Sequence, residues 1–246
     1  MSTNQLSLMD LYKIGSHRGN KASKLNPKLK KYVYGSKNGM SLIDLALMQT
    51  KLEHVESFLK HLGKTGKQVV IVGTSLHLKD TAERIANEMG KGMPYVTNRW
   101  LGGTLTNWAT VKKTLKTLEK NDAIINNEKF FKELSRNEQL ILTRETDKLR
   151  KIFGGLTTLK SNRPYGLIVL DAAENIVAIK EADLMKVPTI ALANTGALDL
   201  PSDLQYTLVA NNNSTKLLDL LADRFVTAYN SGIEEGLTLT NPPPTK

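Results

Sequence analysis

The residues able to do chemistry fall in three places: the ends of apolar runs, one glycine-containing decapeptide, and a block of lysines. Gly73-Thr74-Ser75-Leu76-His77 follows the apolar run 68–72, where an open αβ sheet presents its ligand crevice. A dinucleotide site would need G-x-G-x-x-G there, and a P-loop would end in Gly-Lys-Ser/Thr. Only the first glycine is present, so Thr74 and Ser75 read as N-caps of the next helix. Asp171, Asn194 and Thr195 end other apolar runs and could converge, but a lone Asp there serves equally well as a turn residue. No G-x-S-x-G, no H-E-x-x-H and no nucleophile–base pair occurs. His54 and His61 are seven apart on one helix, His17 lies in a basic loop, and His77 reads as first-turn surface; none of these makes a metal set. With no cysteine, thiol catalysis, thiolate zinc and disulfides are excluded. The expectation is no catalytic residue, no metal and no cofactor.

The charge is more informative. The net charge is +10, and Leu11 to Ile43 holds eight basic residues (Lys13, Arg18, Lys21, Lys24, Lys28, Lys30, Lys31, Lys37) with no Asp or Glu. Outside it the chain is nearly balanced, 26 basic against 24 acidic. A single-sign block of this kind is the footprint of a polyanion partner. Tyr32, Val33, Tyr34, Pro27 and four glycines (Gly15, Gly19, Gly35, Gly39) are interleaved with it, suggesting an ordered loop rather than a solvated tail. Tyrosines beside lysines offer stacking faces next to phosphate-neutralising charge. Isolated, such a block would repel itself, so it is expected to fold on binding.

The third place is Asn98-Arg99-Trp100-Leu101-Gly102-Gly103-Thr104-Leu105-Thr106-Asn107. One use is a hinge, with Gly102 and Gly103 allowing a tight turn while Trp100 and Leu101 anchor it. The other is a turn that lets backbone approach a phosphate while Arg99 pairs with it. Residue types alone leave the two equal.

These groups need elements to hold them. Ser41 with Asp44 forms a capping-box pattern, and Leu45, Met48, Leu52, Val55, Leu59 and Leu62 follow at helical spacing to a stop at Gly63. Strands are predicted over 68–73, 94–97, 165–170, 188–193 and 206–210, with helices over 76–89, 176–185 and 214–229. Between 107 and 152 the alternation stops. Trp108, Val111, Leu115 and Leu118 mark one helix face, a polar break spans 121–128, and Ser135 with Glu138 opens a second helix. The expected architecture is α/β, a doubly wound, mostly parallel five-stranded sheet with an inserted antiparallel helical hairpin. The expected division is a basic RNA-binding segment (1–40), an αβ domain (41–106 and 153–233), the hairpin (107–152) and a disordered tail (234–246). No window has the length and apolarity of a membrane span, and Met1 to Leu8 lacks the build of a secretory signal.

The decapeptide closely resembles the signature of the universal second protein family of the small ribosomal subunit, bacterial in type. The resemblance runs from about Leu8 to Gly236. It includes Gly15-Ser16-His17-Arg18-Gly19, Leu25-Asn26-Pro27-Lys28-Leu29-Lys30-Lys31-Tyr32, Asn38-Gly39, Ile43-Asp44-Leu45, Met93-Pro94-Tyr95-Val96 and Val187-Pro188-Thr189-Ile190-Ala191. It implies a flavodoxin-like domain with a coiled-coil hairpin. It also implies binding of small-subunit rRNA at the head–body junction, neighbouring ribosomal proteins that include the large mRNA-binding protein one, and a place in the cytoplasm on the ribosome. A homo-oligomer and a membrane partner are not expected. The matching motifs carry Asn26, Lys28, Lys30, Tyr32 and Arg99 as RNA contacts; Lys13, Arg18, Lys21, Lys24 and Lys31 join them on charge. The chain departs from the family at Asn20, at Ser75-Leu76-His77-Leu78 and at Asn194-Thr195-Gly196-Ala197-Leu198-Asp199, which argues against an ion contact at those points. The alternative is a Rossmann-like enzyme binding a nucleotide or sugar phosphate. An adaptor using the hairpin as its arm is a third reading, and the charge distribution argues against it.

Overall fold

The computed structural model describes residues 7–197, Leu204 and residues 206–240. Its centre is a five-stranded, all-parallel sheet of β4 (Val69–Val72), β5 (Tyr95–Val96), β6 (Gly166–Val169), β7 (Thr189–Ala193) and β8 (Tyr206–Val209). Their spatial order is β5-β4-β6-β7-β8. Counting only these strands, that is the flavodoxin-like order 2-1-3-4-5, whose topological switch lies between the first and third. Buried on both faces, β4, β6 and β7 lack polar alternation along their length.

Each strand sends alternate side chains to opposite layers. Val69, Ile71, Ile168, Leu170, Ile190 and Leu192 meet the helices α2 (Leu45–Lys64), α3 (Lys79–Glu88) and α8 (Thr215–Thr240). Val70, Val72, Leu167, Val169, Ala191 and Ala193 meet α7 (Ile176–Leu184), the decapeptide and the foot of the hairpin. Gly63 is not the stop that its residue type suggested. It lies in the last turn of α2, where an added Cβ would come within 2.0 Å of the Tyr229 carbonyl oxygen; its use is close approach to α8. Asp44 alone caps α2, its Oδ1 accepting from the Ala46 and Leu47 amides. Ser41 instead lies in a strand with its hydroxyl buried and unpaired among the described residues.

The hairpin is built from α4 (Trp108–Asn126), α5 (Glu128–Glu133) and α6 (Arg136–Phe153). Residues 121–128 are not the break between its arms. α4 runs on through most of them, and α5 continues the first arm after Asn127. The chain reverses at Leu134–Ser135, where the Ser135–Glu138 capping box is complete. Gln139 reaches back to the Phe131 carbonyl while Arg150 pairs with Asp122, so the arms run antiparallel. At the other end, α8 extends to Thr240, so residues 234–240 of the expected disordered tail are helical. Residues 241–246 lie outside the described residues, as do Leu198 and Asp199.

The segment before the αβ domain departs most from expectation. Helix α1 (Leu8–Lys13) leads into a three-stranded antiparallel sheet of β1 (Arg18–Lys21), β2 (Val33–Lys37) and β3 (Met40–Ile43), ordered β1-β3-β2. Strands β2 and β3 join through Asn38 and Gly39, both at positive φ (51° and 74°), with Lys37 facing Met40 across the turn. Asn-Gly at that place is a strong hairpin signal. The segment thus has protein-made pairing of its own.

Candidate nucleic-acid interface

The cationic segment is tied down at its base and bare on its outside. Leu11 packs with the α2–α8 layer, and Leu29 and Ile43 pack with the opposite layer beside Trp100 and Leu105. Asn26 does most of the tethering. Its Nδ2 donates to the Ala197 carbonyl at 2.6 Å and its Oδ1 accepts from the Lys28 amide at 2.9 Å. Its own amide donates to the Thr195 carbonyl, and the Asn20 amide donates to Thr195 Oγ1 at 2.8 Å. Asn26 is therefore the N-cap of the 3₁₀ turn Pro27–Tyr32, only 6% exposed and with its amide group used inside the protein. It caps the turn that carries Lys28, Lys30 and Lys31.

The side chains it positions point outward. Lys13, Arg18, Lys21, Lys24, Lys28, Lys30, Lys31 and Lys37 are all exposed. Lys13 lies 3.8 Å from Asp10, an exposed pair of small worth. Among the described residues the other seven form no ion pair. Tyr32 is half-buried against the core with the Lys31 ammonium 5.2 Å from its ring centre, which leaves little of that ring for a base. Tyr34 is 83% exposed and is the stacking face the segment presents. His17 stacks on Tyr12 (centroids 4.2 Å apart), and burial followed by the neighbouring Arg18 charge lowers its pKa from the ordinary 6.5.

The decapeptide is organised differently, around a residue the sequence did not flag. Glu181 on α7 is 6% exposed, and its carboxylate collects donors from the whole turn. Trp100 Nε1 donates to Oε1 at 3.2 Å and the Gly103 amide at 2.7 Å. The Leu105 amide donates to Oε2 at 3.0 Å, and Thr106 adds its amide and hydroxyl at 3.4 Å. Gly103 takes φ +92°, a left-handed conformation that turns its N–H toward the carboxylate. These are the amides a bound phosphate would require, and an internal anion already holds them. Trp100 and Gly103 are thus held by the protein itself, whereas Gly102 has no positive φ and an added Cβ there would meet only Val177 at 4.0 Å. Arg99 stands exposed on the outside of the turn. Beside it Asn98 donates to the Lys151 carbonyl and accepts from Lys79 Nζ at 2.8 Å, joining β5 to the hairpin.

The crevice at the topological switch is also filled from within. Thr74 Oγ1 donates to Asn175 Oδ1 at 3.1 Å, and Ser75 Oγ, with one proton to give, lies 2.7 Å from Glu174 Oε2 and 3.2 Å from Asp171 Oδ2. The expected capping bonds from these hydroxyls are not made; Ser75 is the N-cap of the turn Leu76–Leu78 by backbone alone. Asp171 also accepts from the Ala173 amide, and burial raises its pKa above the ordinary value. Two carboxylates at this point repel a phosphate. Asn194 and Thr195 do not join this group: Thr195 receives the N-terminal segment, and Asn194 Nδ2 donates to Asn212. His77 is exposed with Nε2 3.2 Å from the Asn212 carbonyl oxygen, and no helix among the described residues is long and apolar enough to cross a membrane.

Comparison with known proteins agrees with this geometry. The family model described as "Ribosomal protein S2" matches residues 11–232. Proteins named small ribosomal subunit protein uS2 are similar along most of the chain. That of Cytophaga hutchinsonii is 33% identical over 95% of this chain and 88% of its own length. That of Chlorobaculum tepidum is 30% identical over 94% and 92%. That of Ureaplasma urealyticum is 36% identical over 88% and 60%. With a flavodoxin-like sheet whose crevice is filled from within, and a match spanning both the cationic segment and the decapeptide, the chain belongs to the ribosomal protein S2 family, a structural rather than an enzymatic one.

Proposed function

We propose that the protein binds small-subunit rRNA through the outer face of residues 13–37 together with Arg99, at the junction of head and body, and so supports translation. The observation that carries this reading is the set of seven exposed cations with no carboxylate partner among the described residues, presented by a sheet that the protein itself anchors. A lysine whose charge nothing inside the molecule uses is available to neutralise a phosphate, and releasing the phosphate's counterions supplies affinity that weakens with salt. The small three-stranded sheet fixes the spacing of these charges before contact. Recognition then follows RNA shape and backbone, with Tyr34 adding a stacking face. Asn26 is assigned the role of positioning Lys28, Lys30 and Lys31 through its cap. Neighbouring small-subunit proteins, including the large mRNA-binding protein one, complete the proposed partner set. The ribosome in the cytoplasm is the place of action that goes with the family.

The test is gradient sedimentation of a lysate at low and high salt, following wild type and a variant with Lys28, Lys30, Lys31 and Arg99 replaced by Ala. Wild type should travel with the small subunit, and the variant should shift toward the top of the gradient at the higher salt. Wild-type protein found only in the soluble top fractions at both salts would overturn the proposal.

A further inference from the structure

The pole of the sheet opposite the strands' carboxyl ends carries a groove of about 740 Å³, at the amino ends of β4, β5 and β6. Its floor is formed by Met93, Leu159 and Ile233, and Lys64, Lys91 and Lys160 stand around it. All three lysines are exposed, and none makes an ion pair among the described residues. No Asp or Glu is among the described residues that line it. Its walls are fixed by bonds between distant parts of the chain. Gln68 donates to the Thr158 carbonyl at 2.9 Å and accepts from the Lys160 amide at 3.2 Å. Asn230 accepts from the Gly90 amide at 2.8 Å and donates to the Glu88 carbonyl at 2.9 Å, while the Tyr229 hydroxyl donates to the Lys67 carbonyl at 2.9 Å. A site fixed in advance spares an occupant the cost of ordering it.

The geometry points to this groove as the docking site for a short acidic segment with apolar side chains, supplied by a partner protein. The argument is complementarity of two kinds at one place: an apolar floor, and a rim carrying one sign of charge. RNA fits the rim but not the floor, which offers no exposed aromatic face for a base to stack on. Residues Asn241-Pro242-Pro243-Pro244-Thr245-Lys246 hold no acidic side chain, so they do not complement the rim. The groove lies at the other pole from Thr195 and Ala197, where the cationic segment is tied, so one molecule can hold rRNA and this partner at once. The inference does not depend on the RNA reading, and its test separates the two.

The test titrates the full chain with a short fluorescent peptide of glutamate and leucine at helical spacing, in parallel with its glutamine–leucine counterpart. The glutamate peptide should bind, and binding should weaken at least tenfold when Lys64, Lys91 and Lys160 are replaced by Gln. It should stay unchanged when Lys28, Lys30 and Lys31 are replaced by Ala. Should the triple variant not fold, Lys160→Gln alone must still weaken binding measurably. Equal affinity in wild type and lysine variants, or equal binding of the glutamine peptide, overturns the proposal. So does displacement of the peptide by a single-stranded RNA in the variant lacking Lys28, Lys30 and Lys31, which would make the groove an RNA site. A gain of tenfold or more on truncation after Thr240 would identify the chain's own end as the occupant and overturn it too.

Discussion

The decapeptide 98–107 and the cationic segment 13–37 use their polar groups in opposite directions. In the decapeptide, five donors turn inward onto one buried carboxylate, and the Arg99 side chain is exposed. In the cationic segment the inward work is done by a few residues, chiefly Asn26 and Thr195, and eight charges face solvent. The most distinctive sequence in the chain is thus chiefly architectural, and the compositionally plainer stretch is the surface. Most polar groups of a motif specific enough to identify a family can be spent inside the fold. Specificity arises wherever a turn admits few residue types, and a loop closed on a buried charge is such a turn.

That contrast can be broken most forcefully at Glu181. Glu181→Gln keeps the shape but sets an NH₂ group against donors, leaving at least two buried N–H groups unpaired; about 3 kcal/mol of unfolding free energy should be lost. Denaturant titration measures it, and a loss under 1 kcal/mol would show that the carboxylate does not organise the turn. In the other region the effect should be on affinity alone. Replacing Lys28, Lys30 and Lys31 with Ala should lower the slope of log K against log salt for an rRNA fragment by about 2, while the melting temperature stays put. A comparable loss of stability would mean that these lysines serve the fold. Tyr34→Ala should cost about 1–2 kcal/mol in RNA affinity if its ring stacks on a base, whereas Tyr32→Ala should act mainly on stability. A Tyr34→Ala protein that binds normally would remove stacking from the account.

The smallest effect is a pH dependence at the join. The folded-state pKa of His17 lies below the ordinary 6.5, so the folded protein binds less proton there than the unfolded chain. Stability from this residue is complete above about 6.5 and is lost as pH falls below it toward the folded value. Thermal melts at pH 7.5 and 5.5 should therefore diverge less in His17→Gln than in wild type. Asp171, with its pKa raised by burial, acts oppositely: it favours the fold as pH falls through its folded value from above.

Much of the fold was legible because it rests on local periodicity. All five strands of the parallel sheet stand within the predicted apolar runs, and the Ser135–Glu138 capping box is intact. Element ends were less legible. Gly63 and Ser41 are residue types that stop or start helices, yet packing against α8 and pairing in β3 put both to other uses. The small sheet in the cationic segment was signalled by Asn38-Gly39, but its short irregular strands, with register shifts in both pairings, hide the alternation that would have revealed it.

The sequence by itself determined the charge block, the αβ alternation and the place of the helical insertion, since each follows from residues near one another in the chain. Only the tertiary structure decided which polar groups are spent inside and which remain for a partner. Glu181 meets Trp100 from 81 positions away, Asn26 meets Ala197 from 171, and Ser75 meets Asp171 from 96. A buried donor must find an acceptor wherever the fold brings one, and that requirement carries no periodicity along the chain.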